Sequence, residues 1–92
     1  MEEIGEGDIG TVITLKSNIS LTDFSAVEIR YEKSDKTRGA WTSTISGNNI
    51  TYTTASGDIA DYGVWILQGY GKSVTWEGVS DQIQIKVIEN LI

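Results

Sequence analysis

The chain alternates. In "SAVEIRYEK" (Ser25–Lys33), Val27, Ile29 and Tyr31 fall on one side and Glu28, Arg30 and Glu32 on the other. A period of two puts successive side chains on opposite faces of an extended backbone, so this segment reads as a strand with one dry face and one wet face. "DQIQIKVIE" (Asp81–Glu89) repeats the pattern, with Ile83, Ile85 and Val87 inward against Gln82, Gln84 and Lys86. "TVITLKS" (Thr11–Ser17) sets Ile13 and Leu15 against Val12, Thr14 and Lys16. "NITYTT" (Asn49–Thr54) turns Ile50 and Tyr52 inward, and "AWTSTISG" (Ala40–Gly47) places Trp41 and Ile45 on one face. Helical spacing is weak throughout. The chain has no proline and is rich in threonine and β-branched residues, as strands prefer.

The punctuation agrees. "SGNN" (Ser46–Asn49) is a tight turn, because Gly and Asn accept positive φ cheaply. "SDKTRG" (Ser34–Gly39) reads as a longer hairpin loop and "GYGKS" (Gly69–Ser73) as another hairpin end. A β-bulge is expected at Gly78. The expectation is about seven strands, over 9–17, 24–33, 40–46, 49–54, 63–70, 74–79 and 82–88. Seven short strands in one domain predict an all-β, immunoglobulin-like antiparallel β-sandwich spanning residues 1–92, with 1–8 as a flexible lead.

One stretch fixes the register. "GDIADYGVWILQGYG" (Gly57–Gly71) leads through an acidic turn into four apolar residues, Val64 to Leu67. Immunoglobulin sandwiches carry a tyrosine at the corner entering this strand, its hydroxyl bonded back to nearby backbone. Asp58-x-Ala60-x-Tyr62 fits the usual lead-in and would make Tyr62 the corner residue. Asp61-x-Gly63-x-Trp65 fits with tryptophan in its place and buries Trp65 and Leu67. The two registers turn opposite side chains inward. The second is favoured, because Gly63 suits a corner and Trp65 with Leu67 makes the heavier core pair. Val64, Ile66 and Tyr70 then face outward. With Trp76 on the next strand they form the candidate interaction surface, although a central strand packed on both sides would look the same.

Composition narrows the function. Apolar residues make up 39% and charged residues 22%, the balance of a globular domain. No apolar run approaches the length of a membrane-spanning helix, and the acidic start, "MEEIGEGD", is not a secretion signal. There are no cysteines and no histidines, which removes disulfides, thiolate nucleophiles and the commonest general base and metal ligand. An enzyme is not expected, and neither a cofactor nor a metal. A net charge of −6 with scattered lysines and arginines argues against nucleic acid and anionic membranes as partners. Asp58 with Asp61, and Glu6 with Asp8, could be calcium ligands, but acids before a corner are also routine turn caps. Trp41, Tyr52, Trp65, Tyr70 and Trp76 could stack on a sugar; core packing is the simpler account. Asn18-Ile19-Ser20 and Asn49-Ile50-Thr51 match the glycosylation sequon, a pattern that arises readily by chance in Ser/Thr-rich chains.

Several of these motifs together resemble the small immunoglobulin-like proteins encoded among the structural genes of tailed bacteriophages and prophages. The resemblance runs through "GDIGTVITL", "LTDFSAVEIRYEKSD", "AWTSTISGNNITYTT" and "SGDIADYGVWILQGYG". Trp41, Ile45, Tyr52, Thr54, Gly57, Asp58, Gly63, Trp65, Leu67 and Gln68 occupy the positions of that family's pattern. One departure stands out: Lys33-Ser34-Asp35-Lys36-Thr37 lacks the Pro and Gly of that family's Lys-Pro-Asp-Gly-type hairpin. The resemblance implies a non-catalytic virion or tail-associated role, in the particle or in the bacterial cytoplasm during assembly, with protein as the partner. It names no binding residue. The alternative is a module that binds a glycan or a cell-surface ligand.

Overall fold

A computed structural model of the protein describes residues 2–16, 24–74 and 77–91. Eight strands lie among the described residues: β1 (Glu2–Gly5), β2 (Val12–Lys16), β3 (Phe24–Glu32), β4 (Arg38–Thr42), β5 (Thr44–Ser46), β6 (Asn49–Thr53), β7 (Gly63–Ser73) and β8 (Glu77–Ile88). They form an all-β structure of two packed sheets. The larger runs β1-β8-β7-β3-β4 and the smaller β2-β6-β5. Ile13, Leu15 and Ile50 of the smaller sheet meet Val27, Ile29, Trp41, Trp65, Leu67, Ile85 and Val87 of the larger.

Several expectations need correction. The lead 1–8 is not a loose tail. Its residues 2–5 pair in parallel with β8, and the Ile4 side chain is buried in the core. The larger sheet is therefore mixed, not wholly antiparallel. The segment 40–46 is two strands. The chain breaks at Ser43, so Trp41 stays in the larger sheet while Ile45 moves to the smaller one and is 38% exposed. Residues 77–79 of the expected 74–79 strand and all of 82–88 instead belong to one long strand, β8, and β7 runs past Tyr70 to Ser73, so the hairpin does not close at 69–73. The bulge sits at Ser80–Asp81, opposite Gly69, and not at Gly78, which pairs directly with Gly71. There the Ser80 hydroxyl accepts the Gly69 N–H at 2.8 Å. Ile83 faces Leu67, but it lies past the last β1 pairing at Ile85 and is left 39% exposed.

The corner follows the favoured register. Trp65 is fully buried, while Tyr62 is 55% exposed. A buried indole N–H needs an acceptor. Trp65 Nε1 donates to the Asp61 carbonyl, four residues back, at 3.1 Å. Gly63 makes the bend possible: its φ is 129°, and a Cβ there would come within 2.7 Å of Ser34 Oγ. Around Trp65 the aromatics stack. Tyr31 lies 5.5 Å from it and Trp41 6.2 Å, and Trp41 stacks on Tyr52 at 5.0 Å with planes 5° apart. Tyr31 also closes over Gly39, its cross-strand partner, where any Cβ would clash with the ring.

The turns divide between conventional and strained. Gly47 takes φ 62° in the two-residue β5–β6 hairpin, as a type II′ turn requires of its first central residue. In the β3–β4 loop, the Lys36 N–H bonds the Lys33 carbonyl at 2.9 Å and the Lys33 N–H bonds the Thr37 carbonyl at 2.8 Å. Lys36 there adopts φ 74°, a left-handed conformation that suits glycine and costs an L residue about 1–2 kcal/mol.

Two stability measurements check this account. Trp65→Ala should lose about 3–5 kcal/mol in urea unfolding, the range for a buried large aromatic, whereas Tyr62→Phe should stay within about 0.5 kcal/mol of the parent. Lys36→Gly should gain about 1 kcal/mol by relieving the left-handed residue. The ion pair it gives up, 3.8 Å to Glu32 on an 80% exposed side chain, is worth little. A Lys36→Gly variant less stable than its parent would contradict the turn geometry.

Candidate protein-contact face

Since Trp65 and Leu67 point inward, period two sends Val64, Ile66, Gln68 and Tyr70 to the solvent side of β7. Pairing fixes their neighbours. Glu32 of β3 and Gln84 of β8 flank Ile66, Arg30 and Gln82 flank Gln68, and Glu28 and Val79 flank Tyr70. Lys86 lies beside Val64, with Glu3 of β1 beyond it, and Arg38 of β4 lies beyond Glu32. The result is a polar sheet face with an apolar stripe along its central strand. Val64 is 43% exposed and Ile66 half-buried. Both line a shallow depression of about 250 Å³, walled by Glu32, Lys36 and Gln84.

The charges around the stripe are held in place. Arg38 Nε bonds Glu32 at 2.7 Å and Arg30 Nε bonds Glu28 at 2.9 Å. The Arg38 guanidinium, with Lys36 adding to it, holds the Glu32 carboxyl below its ordinary value. The Arg30 guanidinium also lies over the Tyr70 ring, 4.0 Å from its centroid. The Tyr70 hydroxyl donates to Glu77, and that bond raises its pKa.

Three of the four sequence-predicted surface residues, Val64, Ile66 and Tyr70, thus lie in one outward row. The fourth, Trp76, lies outside the described residues, as does the Asn18 sequon. Tyr70 is a poor sugar platform, since Arg30 covers one side of its ring and Glu77 engages its hydroxyl. Trp41, Tyr52 and Trp65 are committed to the aromatic stack inside. Reading the sequence missed Val79, the charged rows and the depression. The alternation of Asp81–Glu89 marks which residues of β8 face out, but which strand they lie beside is not written in it.

The acids considered as calcium ligands serve the fold. Asp58 accepts the Ala55 N–H at 2.7 Å, capping the turn after β6, and also accepts the Tyr52 hydroxyl. Asp61 pairs with Lys33 at 3.2 Å. Asp8 accepts the Gly5 N–H at 3.1 Å and the Thr11 hydroxyl at 3.3 Å. Glu6 accepts the Asn90 N–H at 3.1 Å, tying the two ends of the chain together. Among the described residues, no three acidic, histidine or cysteine side chains are grouped to hold a metal ion.

Comparison with protein-family models, with curated protein sequences and with solved structures gives no significant match to this chain.

The Tyr52–Asp58 bond makes a pH prediction. Donation to the Asp58 carboxylate, then burial, pushes the Tyr52 hydroxyl from its ordinary 10 up to about 12. A group whose pKa is raised on folding stabilises the fold fully below its unfolded value and loses that contribution as pH climbs through the folded one. Tyr52→Phe should therefore be less stable than the parent by about 1–2 kcal/mol at neutral pH. The gap should close between pH 10 and about 12. Urea unfolding of both proteins across that range measures it, and a constant gap would deny the bond.

Proposed function

We propose that this chain is a non-catalytic, immunoglobulin-like domain that works by protein–protein contact through the outer face of its larger sheet. Two features support the immunoglobulin-like reading. The smaller sheet has the B-E-D order of that fold if β2, β6 and β5 take those places, and β8-β7-β3-β4 then follow as G-F-C-C′. An aromatic at the start of the F-equivalent strand also bonds back to the corner, with Trp65 doing what a tyrosine does elsewhere.

The observation that carries the contact reading is the stripe itself. The central strand of the larger sheet is fully packed on one side, yet it presents Val64 and Ile66 to solvent on the other. An outward row on such a strand has no need of apolar residues for folding, and apolar surface rimmed by fixed charge is the usual composition of a protein contact. The resemblance to tailed-phage immunoglobulin-like proteins is what supports reading that contact as one made in a virion or tail assembly.

A photo-crosslinking residue at position 66, in the source organism during particle production, tests both parts. Position 14, exposed on the smaller sheet, is the control. Adducts should form from position 66 and not from 14, and they should sediment with nuclease-treated particles in a density gradient. Equal yields from the two positions, or none, would remove the contact reading. Adducts confined to the soluble fraction would remove the virion role alone.

A further inference from the structure

Resting on that reading, we infer that the occupant of the outer face is a second copy of this chain, related by a two-fold axis running along β7.

The first support is charge. The chain carries −6 overall, so two copies repel over most of their surface. The outward strand rows of the larger sheet are different. Arg30, Arg38, Lys72 and Lys86 there balance Glu3, Glu28, Glu32 and Glu77. Among the remaining described side chains, six carboxylates stand against three lysines, Lys16, Lys33 and Lys36. On this face the strand charges cancel, so like-charged copies approach it without net repulsion.

The second support is how the charges are arranged. A two-fold parallel to the strands lays β7 on its own copy and brings Ile66 to Ile66. It also sets β3 over the partner's β8 and β4 over the partner's β1. Glu32 stands on the Ile66 rung, and Lys86 on the Val64 rung, one outward step along the strands. Arg38 shares the rung of Glu32, and Glu3 shares that of Lys86. Around Ile66 acid therefore meets base across both flanks at an offset of two residues, about 6.7 Å, within reach of an extended arginine or lysine. At the far end of β7 the match is lost: Lys72 faces its own copy and Glu28 stands one outward step from the partner's Glu77. The self-complementary part of the face is thus the end around Val64 and Ile66.

The third is size. Five strands at about 4.8 Å spacing and roughly 30 Å of β7 present on the order of 700 Å². A stable contact takes about 800 Å² from each partner. A face much smaller than this one would not hold a dimer.

The test is the mass of the full chain in solution, by sedimentation equilibrium from low to high micromolar concentration. The expected result is a concentration-dependent species of twice 10.1 kDa. Ile66→Glu should weaken it at least about tenfold, because it places a desolvated charge against its own copy. Val64→Glu, at a more exposed position, serves if Ile66→Glu does not fold. Arg38→Glu and Glu3→Lys should each weaken the dimer by roughly threefold to fivefold, and the double variant should recover most of that loss. A chain that stays monomeric at every concentration overturns the inference. So does a dimer indifferent to both Ile66→Glu and Val64→Glu, or a double variant no tighter than either single one. Crosslinking from position 66 separates the two levels: an adduct of any mass other than twice the chain leaves the contact face standing and overturns the second copy as its occupant.

Discussion

The bond from the Trp65 indole to the Asp61 carbonyl sets the register of β7, and the larger sheet follows from that register. A tryptophan cannot be buried with its N–H unpaired at small cost, so the corner has to deliver a carbonyl to the indole. Gly63 allows the chain to bend tightly enough to do so. Once Trp65 is inside, strand geometry puts Leu67 inside with it, beside Tyr31 and Ile83 on the neighbouring strands. The same parity leaves Val64, Ile66 and Tyr70 on the solvent side. One hydrogen bond at the corner thus decides which residues are core and which are available to a partner.

The core that results is small and aromatic. A domain of 92 residues buries a modest share of its surface, and it has no disulfide to help. Trp41, Trp65, Tyr31 and Tyr52 supply much apolar area from few positions. The chain ends contribute as well. Pairing of β1 with β8 and the Glu6–Asn90 bond fasten the N-terminal segment where it covers the core with Ile4. The acids serve the same purpose, since Asp8 and Asp58 satisfy backbone N–H groups at turns that would otherwise be left to water.

The outward face differs from the core in how its parts are held. Its charges are paired within the sheet, Arg38 with Glu32 and Arg30 with Glu28, so the apolar stripe is flanked by oriented groups and not by free side chains. The Arg30–Tyr70–Glu77 chain extends this order along the face, and it also makes Tyr70 less a stacking platform than a fixed part of the surface.

Much of this was legible in one dimension. Alternation marked Val27, Ile29, Ile13, Leu15, Ile50, Ile85 and Val87 as inward, and all are buried. The Asp61-Tyr62-Gly63-Val64-Trp65 stretch carried the corner. It was readable because an aromatic, a glycine and an acid must stand at fixed spacing for the chain to turn and pair the indole there. Ile59 was not legible: it is fully buried in the β6–β7 connection, where no periodicity exists to reveal it. Nor was the break at Ser43, because "AWTSTISG" alternates evenly through it and only the separation of the two sheets ends β4. The parallel pairing of β1 with β8 joins segments some eighty residues apart, and no local pattern encodes a contact of that range. The same holds for the candidate face. Which β7 residues turn outward can be read along the chain, because side-chain parity is local to a strand. That Glu32, Arg38, Lys86 and Glu3 surround them follows from the folded sheets alone, because strand order and register arise from packing two sheets over one shared core.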